Sequence, residues 1–210
     1  MRIFAIELSS RFGSIAVVED GNVVAEERWE ENFKNRQQLF DAMARLASDW
    51  EVFDLFAVGR GPGAFSGMRI GFTVVNALAA PRKMPVYALN SGAAIAAQVE
   101  GERTVVVGDA RREKVWAGLF RGTELEREFT LLEQDEFRAF VPDDARVASS
   151  DLDRLSELLA GLDVVDHPVF PSAGILGRLV SRRVSEGVEQ EPFEPLYMHP
   201  PVFIAPRFPA

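Results

Sequence analysis

Residues 59–71 read GRGPGAFSGMRIG, and the fold follows from what stands on either side of them. Before them, Leu55-Phe56-Ala57-Val58 is a short apolar run of the kind that forms a buried strand. After them, residues 66–80 hold Met68, Ile70, Phe72, Val74, Val75, Ala77, Leu78, Ala79 and Ala80, interrupted mainly by Arg69 and Asn76. The order is strand, glycine-rich turn, helix. Ser66 is the expected N-cap, and Pro81 marks the end of the helix. Backbone amides at such a turn attract anions, which makes Gly61, Gly63, Ser66 and Gly67 candidate cofactor contacts. The spacing fits neither standard phosphate fingerprint: no Lys follows the last glycine, and the dinucleotide pattern breaks at Ala64 and Ser66. The competing reading is a tight turn that lets the helix pack closely on its strand. The helix is apolar nearly all round, whereas a surface helix shows a stripe about 100° wide. Either it lies inside the domain or another chain buries its second face.

Working outward, Arg2 to Leu8 reads as a buried strand. Ser14 to Val18 and Val23 to Trp29 flank Glu19-Asp20-Gly21-Asn22, and Asp-Gly between apolar runs is a hairpin signal. From Lys34 to Trp50, Leu39, Met43, Leu46, Ala47 and Trp50 keep helical spacing, and Phe40 and Ala44 form a second, narrower row. A strand is expected at Val86 to Leu89 and an alanine-rich helix after Asn90-Ser91. The order βββαβαβα is that of a ribonuclease-H-like unit. Residues 104–108, 114–120 and 125–132 restart it as three further strands, followed by helix candidates at 151–160 and 172–186. The proline-rich tail from Glu191 should be extended. The expected fold class is therefore α/β: two ribonuclease-H-like lobes of the actin-like ATPase superfamily, the second reduced. The expected division is residues 1–101 and 102–210, with the last helix returning to the first lobe.

Composition removes several classes of function. The chain carries a net charge of −9, made up of 10 Lys/Arg against 12 Asp/Glu in residues 1–100 and 13 against 20 afterwards. Such a chain is poorly suited to gripping a phosphate backbone by itself. Cysteine is absent and the histidines are His167 and His199 alone, so no thiolate nucleophile, disulfide framework or zincin helix can be built, and no resident metal is expected. The apolar run at the N-terminus is short and broken by Glu7, and no 18-residue apolar segment occurs. The expected setting is cytoplasmic, with no membrane contact and no cofactor.

Three stretches then resemble one family. GRGPGAFSGMRIG is similar to the G-P-G-S-F-T-G-L-R-I-G signature of the bacterial TsaB (YeaZ) family, IFAIELSS to its I-L-A-I-D-T-S, and DARREKVW at 109–116 to its D-A-R-R-G-E-V-Y. PLYMHPPVF near the end resembles P-x-Y-L-R-P-P, with His199 in place of Arg. The likeness runs to about residue 120 and thins afterwards. It implies a non-catalytic subunit that pairs with the catalytic subunit TsaD, to which the small ATPase TsaE docks. Together they place a threonylcarbamoyl group on the adenosine beside the anticodon of tRNA, with tRNA bound only by the complex. Homodimer and monomer both stay open for the chain in isolation.

The resemblance also marks residues. In that family the helices matching 34–48 and 66–80 form the TsaD-facing surface. Packing within the chain is the default for apolar residues at helical spacing. Here, though, two adjacent helices carry more apolar surface than one sheet can cover. The expected anchors are Phe40, Met43, Phe65, Met68 and Phe72, rimmed by Arg36, Arg69 and Asn76. Glu7 stands where actin-like ATPases place a nucleotide-site Asp, and Leu8 where Thr is expected, so Glu7 joins the cofactor candidates against the alternative of a paired strand-end carboxylate. Asp109 and Arg111 read as an anion contact or a structural ion pair. Asn35 and Asp41 replace the family's His and Pro, so the histidine pair that holds a metal in the related catalytic subunit has no counterpart. The alternatives are an ATP-dependent phosphotransferase of the same superfamily and a homodimeric binding module without a tRNA role.

Overall fold

A computed structural model describes residues 1–31, 37–47 and 49–200. Arg2–Glu7 (β1) is buried from Ile3 onward, as an unbroken apolar strand flanked on both sides requires. It pairs antiparallel with Phe12–Glu19 (β2), which turns through Asp20 (φ 48°) and Gly21 (φ 78°) into Asn22–Glu30 (β3). Positive φ at both central residues is what a two-residue hairpin needs, and Asp-Gly supplies it. On its other side β1 pairs parallel with Leu55–Gly59 (β4), which pairs parallel with Val86–Leu89 (β5). The sheet order is β3-β2-β1-β4-β5. Arg103–Arg111 (β6), Lys114–Arg121 (β7), Glu124–Glu133 (β8) and Ala145–Ser149 (β9) form a second sheet, ordered β8-β7-β6-β9, with β9 parallel to β6. That is the first sheet without its last strand. The fold is α/β, with two sheets of matching strand order and the second one reduced, as the sequence implies.

The helices fill the spaces between and outside the sheets. Alternate residues of each strand point to opposite faces. Phe4, Ile6, Ile15, Val17, Phe56 and Val58 pack against Gln38–Leu46 (α1) and Phe65–Ala79 (α2). Ile3, Ala5, Ala16, Val18 and Ala57 face the other way, onto Ser91–Ala96 (α3) and Ala173–Ser185 (α6). Val106, Trp116, Phe120 and Ala148 of the second sheet join that same cluster from beyond. Val105, Val107, Val115, Leu119 and Val147 are covered by Gln134–Phe140 (α4) and Leu152–Leu159 (α5). The result is five layers: α1/α2, sheet, α3/α6, sheet, α4/α5. The helix latest in sequence closes the first sheet. Its start is pinned there by Ala173 N donating to Ser14 Oγ (2.9 Å) and Gly174 N to Glu26 Oε1 (2.8 Å).

Several elements differ from expectation. Described helix begins at Gln38, not Lys34, and residues 34–36 lie outside the described residues. Ser66 is not the N-cap: α2 starts one residue earlier, capped at Ala64, whose own amide is held by the Ser9 carbonyl (2.6 Å). α4 and β9 are additional, and both are short. α4 carries a capping box in which Glu133 and Glu136 exchange hydrogen bonds with each other's backbone. Gly101 falls between α3 and β6. No helix among the described residues is long and apolar enough to cross a membrane.

Candidate functional site

Glu7 ends β1 fully buried, at the centre of a hydrogen-bonded chain. Its Oε1 accepts from Ser9 N (2.7 Å) and its Oε2 from Ser91 Oγ (2.7 Å), while Ser91 Oγ accepts from Gly61 N (3.0 Å). Loss of hydration pushes the Glu7 carboxyl above its ordinary value, against the lowering effect of the hydrogen bonds from Ser9 and Ser91. Gly59 is required beside it, because a Cβ there would collide with Glu7 Oε2. Glu7 and the glycine-rich turn, both cofactor candidates, are thus brought together. The amide of Gly61 is engaged within the chain. Gly63 and Gly67 lie against the carbonyls of Ser9 and Leu8, so close that a Cβ on either would strike an oxygen. That is the close-packing role of the turn. Ser66 is exposed on the first turn of α2.

The docking candidates separate into two groups. Met43, Met68 and Phe72 are buried in this chain, Met43 and Phe72 in the cluster beneath α1 and α2. Met43 and Phe72 face the chain's own sheet and Met68 lies against the Gly61 turn, so as outward anchors all three are corrected. The reason is register: Met68, Phe72, Val75 and Ala79 follow i, i+4, i+7, i+11 and so share the inner face. Phe40 is 57% exposed and Phe65 55%, and Arg69 and Asn76 are exposed as well. Arg69 lies over the Phe65 ring at 5.0 Å. Ile70 is also open, at 46% exposure, and was not among the expected residues. Arg36 lies outside the described residues.

Arg60 and Asn90 are two buried polar residues that the sequence reading passed over. Each directly follows a buried parallel strand, and that position was the available signal. In the second lobe, Asp109 pairs with Arg111 at 3.1 Å and with Arg154 at 3.5 Å, as in the structural ion-pair reading. Asp151 N is held by Ser149 Oγ, and Asp151 Oδ2 accepts from the Asp109 amide at 3.1 Å; burial raises its carboxyl above the usual range. His167 and His199 are far apart in role. His167 pairs with exposed Asp166, while His199 Nε2 sits 2.6 Å from the Ala110 carbonyl. Among the described residues, no group of three or more His, Asp or Glu is placed to hold a metal ion.

Comparison with known proteins agrees with this architecture. Residues 30–129 match the family model for TsaD, the tRNA N6-adenosine threonylcarbamoyltransferase. The tRNA threonylcarbamoyladenosine biosynthesis protein TsaB of Bacillus subtilis is 28% identical over 127 residues, which span 58% of this chain and 56% of that protein. Two solved structures superpose over nearly the whole chain. An uncharacterized Pseudomonas aeruginosa protein with similarity to peptidase YeaZ has a TM-score of 0.80 at 23% identity, over 94% of this chain and 99% of its own. YeaZ from Pseudomonas aeruginosa has a TM-score of 0.76 at 24% identity, over 93% and 100%.

Proposed function

We propose that this chain is a TsaB (YeaZ)-type protein and the non-catalytic subunit that pairs with TsaD in forming threonylcarbamoyladenosine on tRNA. The observation that supports this most directly is the outer side of α1 and α2. Phe40 and Ile70 stand open on two helices that share one face of one sheet, and Phe65 remains more than half exposed beside the Tyr197 ring. Large apolar side chains grouped on neighbouring helices are costly to leave in water, and a partner's helices would cover them. Arg69 and Asn76 supply polar contacts at the edge of the same face.

The rest of the assembly follows from charge and topology. At a net charge of −9 the chain gains little from a phosphate backbone, so tRNA would be held by the complex and not by this subunit alone. TsaE would dock on the assembled pair, in the cytoplasm. Without TsaD, the same face would serve a second copy. Co-expression with TsaD from the same genome tests the reading. The two chains should co-elute in equal amounts, and threonylcarbamoyl transfer in a reconstituted system should need both. A chain that leaves TsaD unbound and transfer unchanged would refute it. ATP turnover by the isolated chain, abolished by Glu7→Ala, would place it among the phosphotransferases instead.

A further inference from the structure

After α6 the chain runs back as an irregular segment, residues 188–199, across the carboxyl ends of the first sheet's parallel strands and on to the second sheet. Tyr87 Oη donates to the carbonyls of Val188 (3.1 Å) and Glu189 (3.2 Å). Leu196 N donates to the Arg60 carbonyl (2.7 Å). The ring of Phe193 meets Phe72 at 4.9 Å and that of Tyr197 meets Phe65 at 5.0 Å. His199 reaches Ala110 at the end of β6. In open α/β sheets this crevice, outside the carboxyl ends of the strands, is where ligands bind. Here the chain's own tail lies in it.

One contact of that tail has the form of a bound ligand. Glu191 places one carboxylate oxygen on each of two buried donors. Asn90 Nδ2 donates to Oε1 at 2.6 Å, and Arg60 Nη1 to Oε2 at 3.3 Å. Arg60 is 6% exposed and Asn90 3%. Asn90 does not depend on the tail for its aim, whereas Arg60 is anchored to the sheet by its backbone and to the tail by its Nε. Asn90 Oδ1 accepts from Ala93 N (2.8 Å) as the cap of α3, which leaves Nδ2 facing the crevice. Arg60 is fixed by its amide on the Leu89 carbonyl (2.9 Å) and by Nε on the Glu194 carbonyl (3.0 Å). A buried guanidinium without an anion is costly, so removing the carboxylate leaves a strong demand for another.

We propose that Arg60 and Asn90 form an oxyanion site at the ends of β4 and β5, filled in cis by the Glu191 carboxylate. A carboxylate or phosphate ligand that takes this site frees the tail from the crevice. Neither Arg60 nor Asn90 belongs to the docking face, but the tail they hold touches it where Tyr197 meets Phe65, and the test below uses no TsaD so that it reads the anion site alone. A short tether gives the Glu191 carboxylate an effective concentration in the mM range, so dilute free anions do not compete with it. Glu191→Ala removes that competitor and opens the site to solution.

The test is chemical rescue at constant ionic strength. Glu191→Ala should melt below the wild type in chloride buffer and recover saturably with added formate, inorganic phosphate or both. Recovery with formate alone assigns a carboxylate ligand, and recovery with phosphate alone a phosphate ligand. The wild type and Arg60→Gln/Glu191→Ala should respond to neither. Exchange of the Leu196 amide, read by NMR, gives a second measure that needs no melting. It should be about tenfold faster in Glu191→Ala and slow again when the anion is added, consistent with loss of a local anchor. Equal rescue of the double variant would show a general salt effect and overturn the site. So would a Glu191→Ala protein whose melting and Leu196 exchange match the wild type in every buffer.

Discussion

The two outer helix layers occupy the same place in their lobes and are finished differently. α4 and α5 cover the second sheet with Phe137, Phe140, Leu155 and Leu159, all turned inward and buried. Among the described residues from 101 to 187, no large apolar side chain is left exposed. α1 and α2 cover the first sheet just as fully, through Leu39, Met43, Phe72 and Val75, and then carry Phe40, Phe65 and Ile70 on their far side. The charge follows the same division, with net −7 after residue 100 against −2 before it. One layer is complete against solvent. The other keeps Phe40, Phe65 and Ile70 at its surface, which is what the proposed partner face rests on.

The largest effects should come from treating the two inner faces alike. Phe72→Asp and Phe137→Asp should each cost more than the ~3–5 kcal/mol of a buried Phe→Ala change, because an unpaired carboxylate is buried as well. Against a total stability of roughly 5–15 kcal/mol, either variant should be substantially unfolded in a urea titration. A Phe72→Asp chain that folds as well as the wild type would mean that the inner face of α2 has been misidentified.

The outer faces should then diverge. Phe65→Ala should leave folding nearly intact and weaken TsaD binding about 30-fold, or roughly 2 kcal/mol, as measured by calorimetric titration. Phe40→Asp should also stay folded and fail to bind. If both variants bind normally, the contrast between the layers has another cause.

A subtler difference lies in the buried carboxyls at the strand ends. Glu7 and Asp151 are both raised by burial, but Arg154 and Arg111 act on Asp151 in the opposite sense, whereas hydrogen bonds alone moderate Glu7. A raised acid adds stability below its unfolded value, 4.5 for Glu7, and that contribution is lost as pH rises through the folded value. Denaturation from pH 4.5 upward should therefore show a decline that Glu7→Gln flattens more than Asp151→Asn does. Equal slopes in all three proteins would remove Glu7 from this account. At the small end, Glu157→Ala on the exposed side of α5 should change stability by no more than about 0.5 kcal/mol and leave TsaD binding untouched.

Much of the first lobe could be read from residues because its signals are local. Asp20-Gly21 fixes a hairpin, and apolar runs bounded by Gly and Pro fix β4 and β5. The faces of α2 could not be read from hydrophobicity, since a helix that is apolar all round gives no phase. Small residues hold that phase: Gly67 and Gly71 approach Leu8 and Val58, and so mark the side that carries Met68, Phe72 and Val75. β9 is five residues long with Arg146 inside it, and its strand character comes from pairing with β6 more than forty residues earlier. Arg60 and Asn90 acquire their partner only through Glu191, over a hundred residues away. No window of sequence contains that pairing.

The position of α6 has a consequence in time. One face of the first sheet, with Ile3, Ala5, Ala16 and Val18, waits for a helix that ends at Ser185. The sheet's last strand ends at Leu89, so some 95 residues separate the two. At roughly 5–20 residues per second that is on the order of 5–20 s of synthesis, during which the nascent sheet has one covered side and one bare side. A ribosome-bound chain stopped before residue 173 should therefore be the form that holdase chaperones grip, and one that has released α6 the form that they let go.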